Sequence, residues 1–148
     1  MIAITRAAEY SLRATAALVQ FRESDKTATV AEIAVSEAIP ESFLRKLLKP
    51  LIRADIVRSE RGYSGGITLA KHPAEISVLD VIEAVDGKLS LNECVLNPTE
   101  CGLIARCAIH GLWVETTELL TEHLRNYSLE DIQRKYMIGS ETETTPSE

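Results

Sequence analysis

The sequence predicts a mainly α-helical chain with a single small β-hairpin. Three observations carry this. Apolar residues recur at helical spacing through residues 5–23 and 40–53. Two short alternating stretches flank the glycine-rich turn Arg61-Gly62-Tyr63-Ser64-Gly65-Gly66. A long amphipathic stretch then follows a loop that holds every cysteine of the chain. With 148 residues, 45% of them hydrophobic, the chain can build the core of one domain with an appendage. No apolar run approaches the roughly 20 residues of a membrane span, and Met1-Ile-Ala-Ile-Thr-Arg has no hydrophobic signal core. The expectation is a cytoplasmic protein without a membrane segment.

Residues 5–23 form the first expected helix, capped by Thr5, with Tyr10, Ala14, Ala17, Leu18 and Phe21 along one stripe. After the polar break Glu23-Ser-Asp-Lys-Thr, Thr29 caps a short helix to Ser36, with Glu32 at the capping-box position. Pro40 suits a first helical turn and opens a helix to about Arg53, on which Phe43, Leu44, Leu47, Leu48 and Leu51 make the apolar face. Pro50 predicts a kink there, or an end near Lys49. Two short helices joined tightly, the second basic on its outer side, describe a helix-turn-helix. The hairpin that follows, 56–61 and 66–70, reads as a wing led at its tip by Arg61. Ser77 starts a helix from Val78 to Val85, with Gly87 as its left-handed cap. His72, before a proline in a connector, reads as solvated. A long helix is expected from about Ala105 to Asn126, with Leu112, Trp113, Leu119, Leu120, Leu124 and Tyr127 too broad a stripe for so small a chain. That breadth predicts pairing with a second copy. Ser128 caps a last helix to about Tyr136, and the tail from Gly139 lacks apolar residues and should be disordered.

Charge sharpens the reading. The net charge is −6. Residues 40–72 nevertheless carry seven basic groups (Arg45, Lys46, Lys49, Arg53, Arg58, Arg61, Lys71) and three acidic ones, whereas 73–148 carry five basic and fourteen acidic. A basic stripe of +4 on a body that is otherwise acidic is the footprint of a polyanion bound on one face.

Cys94, Cys101 and Cys107 are separated by six and five residues, and His110 follows Cys107 by three. Pro98 and Gly102 break regular structure between them. A flexible loop of this kind can aim three thiolates at one centre, which suits zinc, copper(I) or an iron–sulfur cluster. Zinc sites usually show tighter cysteine pairs, so the wide spacing shifts weight to a cluster. An odd count and the expected compartment disfavour a disulfide framework.

At this point the chain resembles the winged-helix iron–sulfur regulators that include IscR, NsrR and RirA. The resemblance rests on Ile4-Thr5-Arg6 with Tyr10, Ile39-Pro40 with Phe43-Leu44, the 61–66 wing, Val81-Ile-Glu-Ala-Val-Asp-Gly87, the three cysteines, and Cys107-Ala-Ile-His110-Gly-Leu-Trp113. It implies a winged helix-turn-helix DNA-binding domain (1–87), a cluster-binding loop (88–110), a long C-terminal dimerisation helix with the last helix (105–138), and the tail (139–148). It implies a homodimer holding one cluster per subunit, 2Fe–2S or 4Fe–4S, on Cys94, Cys101 and Cys107. The fourth ligand is His110, as in IscR-like members, or Glu9 from the partner subunit, as in some NsrR-like ones. The partner is double-stranded DNA with a palindromic operator. Ser42, Phe43, Arg45 and Lys46 would face the major groove, Arg61 with Gly62 and Gly65 would place the wing in the minor groove, and Lys49 and Arg58 would meet phosphates. Three departures stand out: the six-residue first cysteine spacing, where five is common, Ile67 in place of a frequent wing tyrosine, and Arg45 where cluster-biogenesis regulators carry a glutamate.

The function expected is a transcriptional regulator, such as a repressor, that senses iron, redox or nitric oxide status through its cluster. The alternative is a winged-helix regulator with zinc or free thiols in the loop. No phosphate loop, serine–histidine–acid pattern or paired carboxylates point to an enzyme.

Overall fold

A computed structural model of the chain describes residues 4–61 and 65–137. The wing tip at Gly62, Tyr63 and Ser64, and the tail expected to be disordered, lie outside the described residues. The order is α1 (Arg6–Glu23), α2 (Val30–Ser36), α3 (Glu41–Arg53), β1 (Val57–Glu60), β2 (Gly66–Leu69), α4 (Val78–Asp86), α5 (Glu93–Leu96), α6 (His110–Arg125) and α7 (Leu129–Ile132), the last running into a π-helical turn, Gln133–Met137. No described helix is long and apolar enough to cross a membrane.

The caps read from the sequence are present. Thr5 Oγ1 accepts from the Ala8 N–H at 3.1 Å. Glu32 and Thr29 close a full capping box, as do Asp80 with Ser77 and Asp131 with Ser128. Each box satisfies two backbone donors that the first helical turn leaves open. Pro40 precedes α3 as its cap residue rather than entering its first turn.

Pro50 does not end α3 near Lys49; the α-helix continues to Arg53. Leu47 and Leu51 flank the proline and are buried, Leu51 completely. The Ala54 N–H donates to the Pro50 carbonyl at 3.0 Å. Burial of the Leu51 side chain, worth about 1.5–3 kcal/mol, offsets most of the roughly 3 kcal/mol that an interior proline costs. Gly87 ends α4 at φ 79°, ψ −172°, outside the left-handed helical well and in a region open essentially to glycine alone.

β1 and β2 pair antiparallel, with Val57 opposite Leu69 and Glu60 opposite Gly66. Ala28, just before α2, adds a single isolated bridge to Ile67 on the edge of β2 away from β1. The Ile67 N–H donates to the Ala28 carbonyl at 2.7 Å. The wing is thereby stitched to the segment that leads into α2.

One core holds the first half together. Leu18, Ile33, Leu44, Leu51, Ile56, Leu69, Ile76 and Val81 are buried in it. A smaller cluster of Ala8, Val78 and Ile82 packs on Leu124, Tyr127 and Ile132. Backbone hydrogen bonds from Val78 N–H to Tyr127 O (2.8 Å) and Leu129 N–H to Ile76 O (2.9 Å) tie the C-terminal helices back to the domain.

The long helix begins at His110, not near Ala105. A 3-10 turn at Ile104–Arg106 and the extended backbone of Cys107 (φ −83°, ψ 110°) interrupt any earlier start. Only Thr117 of its 16 residues is buried. Leu112 is 50% and Leu119 62% exposed.

Candidate nucleic-acid interface and metal centre

α2 and α3 make the helix-turn-helix. The turn between them places Ala38 at φ 52°, and Ile39 N–H reaches back to Ala34 O at 2.9 Å. This is a helix-ending motif in which a left-handed residue reverses the chain. Leu44, Leu47 and Leu51 bury one face of α3. The other face leaves Ser42, Arg45, Lys46 and Lys49 exposed. Phe43 is half-buried at the flank, its ring edge-on to Tyr10 with centroids 5.6 Å apart. Arg58 and Arg61 are exposed, Arg58 on β1 and Arg61 directly after it, and Gly65 is half-buried where the hairpin resumes. Gly62 lies outside the described residues. The cations assigned to DNA therefore sit on α3 and the wing, the two elements a winged helix offers to a duplex.

α1 supports this face. Arg13 donates from Nη2 to the Glu37 carbonyl at the helix-turn-helix turn. It also pairs with Glu9 at 3.6 Å and Glu37 at 3.9 Å. At its other end, the α1 cap residue Thr5 donates from Oγ1 to the carboxylate of Asp86, the last residue of α4, at 2.7 Å.

The cysteine loop is a chain of local turns. Val95 N–H bonds Asn92 O, Glu100 N–H bonds Asn97 O, and Ile104 N–H bonds Cys101 O. Its entry is pinned by Leu89 N–H to Glu83 (3.1 Å) and Leu91 N–H to Thr117 (3.2 Å). All three cysteines are free and half-buried. Cys94 on α5 meets the first residue of α6: its Sγ lies 3.4 Å from His110 Nδ1. Glu9 is exposed on α1 and pairs with Arg13 instead. Among the described residues, no three histidine, cysteine or carboxylate side chains converge as a metal site. The donor set still fits a cluster. Three thiols and an imidazole are soft or borderline ligands, they are free of disulfides, and the turns between them are held only by local bonds.

The comparisons with known proteins bear on this geometry. A family model, Rrf2, described as an iron-dependent transcriptional regulator, matches residues 4–135. The chain belongs to the Rrf2 family. It is 34% identical over 130 residues to the HTH-type transcriptional regulator NsrR of Geobacillus kaustophilus, covering 87% of this chain and 88% of that one. It is 33% identical over 103 residues to IscR of Pectobacterium atrosepticum, covering 70% of this chain and 62% of that one. The structure of CymR, the global cysteine regulator of B. subtilis, superposes with a TM-score of 0.74 at 26% identity, covering 90% and 98%. As a member of the Rrf2 family the chain is a winged-helix transcriptional regulator, a DNA-binding and non-enzymatic role.

Two contacts around these elements had no signal in sequence. Arg13 sits on a helix among ordinary polar positions, and only the fold brings it to the Glu37 carbonyl. The Thr5–Asp86 contact joins residues 81 apart. The Glu41–Arg45 pair on α3 was legible from its i, i+4 spacing.

Proposed function

We propose that this Rrf2-family regulator is a homodimeric iron–sulfur sensor that reads a palindromic operator. Cys94, Cys101 and Cys107 would hold the cluster, 2Fe–2S or 4Fe–4S, one per subunit, with His110 or Glu9 of the partner subunit as fourth ligand. The observation that carries the reading is the meeting of Cys94 and His110 at 3.4 Å, beside two further free, half-buried thiols on the same loop. A bound cluster supplies a redox- and ligand-sensitive centre; a non-cysteine ligand makes it easier to lose or modify.

This chain's own residues do the rest. α3 presents Ser42, Arg45 and Lys46 to base edges, with Phe43 beside them, while Lys49 and Arg58 meet phosphates and Arg61 enters the minor groove. α6 pairs with its copy through Leu112 and Leu119, whose exposure leaves an apolar stripe at seven-residue spacing. A change in the loop reaches the DNA face through α1, which touches Asp86 through Thr5 and the helix-turn-helix turn through Arg13. A small rotation between two recognition helices costs affinity, because half-site spacing is fixed by the duplex.

The test is iron and acid-labile sulfide per chain, with a visible absorption spectrum, on anaerobically purified protein. Stoichiometric iron and sulfide with charge-transfer bands, lost in Cys101→Ser, support the sensor. The iron-to-sulfide content distinguishes the cluster types, and His110→Ala against Glu9→Ala identifies the fourth ligand. Colourless protein that iron and sulfide cannot reconstitute overturns it, and leaves a regulator with zinc or free thiols in the loop.

A further inference from the structure

The recognition helix carries one acidic side chain, and it is engaged. Glu41 opens α3, and its Oε1 accepts from both Arg45 Nε (3.0 Å) and Arg45 Nη2 (2.6 Å). The other i, i+4 ion pairs among the described residues, Glu9–Arg13 and Glu130–Arg134, are single approaches at 3.6 and 3.3 Å. Both partners stay open to solvent, with side-chain exposures of 61% for Arg45 and 46% for Glu41. A carboxylate on a surface that must approach phosphates opposes binding by charge alone. As a plain surface ion pair it would return little in stability. Its position makes sense if it acts on what Arg45 reads.

We propose that Glu41 is a specificity-determining positioning residue, which locks the Arg45 guanidinium so that it reads one guanine in each half-site. The inference rests on the proposal that α3 is the recognition helix. The geometry follows from the fork of five N–H groups. Glu41 takes the Nε side, and the terminal Nη1 edge, with the outer N–H of Nη2, points away from the carboxylate. Two N–H groups at that end match the O6 and N7 acceptors of guanine in the major groove. A guanidinium held from behind loses less rotamer entropy on contact and rejects bases that lack both acceptors. Adenine keeps N7 but sets a donor where guanine has O6, so a locked Arg45 is left with one bond. A free Arg45 would swing to a neighbouring acceptor or a phosphate and discriminate less.

The experiment is in vitro selection from a random duplex library with the full-length protein, in cluster-loaded and cluster-free forms. It is repeated with Arg45→Ala, Glu41→Ala and the double variant, and followed by affinity measurements on single-base operator variants. The wild type should select a palindrome with a guanine in each half-site whose preference Arg45→Ala abolishes. Glu41→Ala should weaken the guanine preference at that same position by about threefold to tenfold, a fraction of what a bidentate contact discriminates. Affinity for non-specific duplex should be unchanged or higher, since a negative charge is gone. In the Arg45→Ala background, Glu41→Ala should alter base preference no further. A purely structural role would lower the melting temperature and weaken all sequences together. Three results overturn the inference: an unchanged guanine preference in Glu41→Ala, a change at a different position, or the same change in both backgrounds. If Arg45→Ala itself shifts no position, it is the recognition-helix assignment that fails.

Discussion

Gly66 is the residue whose replacement should cost most for its size. A Cβ added there would lie 2.3 Å from the Ala28 carbonyl oxygen, 2.8 Å from Thr27 Cγ2 and 3.0 Å from the Ala28 carbonyl carbon. Two of these three atoms are backbone, so no rotamer relieves the clash. The connector must move off the wing, and the 2.7 Å bond from Ile67 N–H to Ala28 O stretches with it. Ala28 and Ile67 are buried, at 0% and 2% exposure, so water cannot take over the lost bond at no cost. An unsatisfied buried group costs about 1–3 kcal/mol, and overpacking adds about 1–3 kcal/mol. We expect Gly66→Ala to destabilise by about 3 kcal/mol, which for a chain of this length lowers the melting temperature by about 6–12 °C. The assay is thermal and urea unfolding by far-UV circular dichroism, at one protein concentration because the stability of the proposed dimer would depend on it. Gly111→Ala is the control. Nothing lies within 4 Å of its added Cβ, and it sits in the first turn of α6, so alanine should be neutral or stabilise by up to about 1 kcal/mol. A Gly66→Ala protein within about 0.5 kcal/mol of wild type refutes the packing argument, because neither the clash nor the lost bond can then be real.

Other substitutions probe different links. Ala38 holds φ 52° at the helix-turn-helix turn, so Ala38→Gly should relieve left-handed strain and raise stability by about 0.5–1 kcal/mol in urea unfolding, net of the greater freedom of the unfolded chain. Leu119→Glu places a charge in the exposed apolar stripe of α6, where the side chain is already 62% exposed. Light scattering should show a monomer while the monomer's own fold persists; an undisturbed dimer removes α6 from the interface. The hydrogen bond from Thr29 N–H holds the Glu32 carboxyl below its ordinary value of 4.5, and that from Ser128 N–H holds Asp131 below 3.8. A depressed folded pKa contributes stability above the ordinary value, and this is lost as pH falls through the folded one. Melting temperatures should therefore decline in acid below those values, and more shallowly in a Glu32→Gln, Asp131→Asn double variant. A slope identical to wild type would exclude the capping boxes as the source.

How far the sequence could be read follows from what each element depends on. Helix starts depend on residues three apart, so Thr29 with Glu32 and Ser77 with Asp80 announce their boxes, and the structure closes them. Helix ends depend on burial far away in sequence. Pro50 signals a break, but Leu51 is completely buried against other elements and carries the helix through. The α6 start failed for the opposite reason. Residues 105–109 have helical composition, yet no buried side chain holds them, and the chain takes local turns instead. The bridge from Ala28 to the wing was illegible because Ala28 bears no strand signal; only the absent Cβ of Gly66 permits the approach.

The candidate site divides along the same line. On α3, three buried leucines fix the orientation of the helix, so the outward placement of Ser42, Arg45, Lys46 and Lys49 follows from spacing alone. In the cysteine loop, residues 88–109 include no fully buried residue, so no core position sets the orientation of its side chains. Spacing could name the donors but not their arrangement. The one donor pair in contact, Cys94 with His110, is the pair that lies on helices, α5 and the first turn of α6. Cys101 and Cys107 lie between turns and follow the loop. A ligand that binds all three thiols would therefore draw Cys101 and Cys107 toward a fixed Cys94–His110 edge. Because Thr117 anchors the loop entry to α6, that movement would be felt along the helix that carries Leu119.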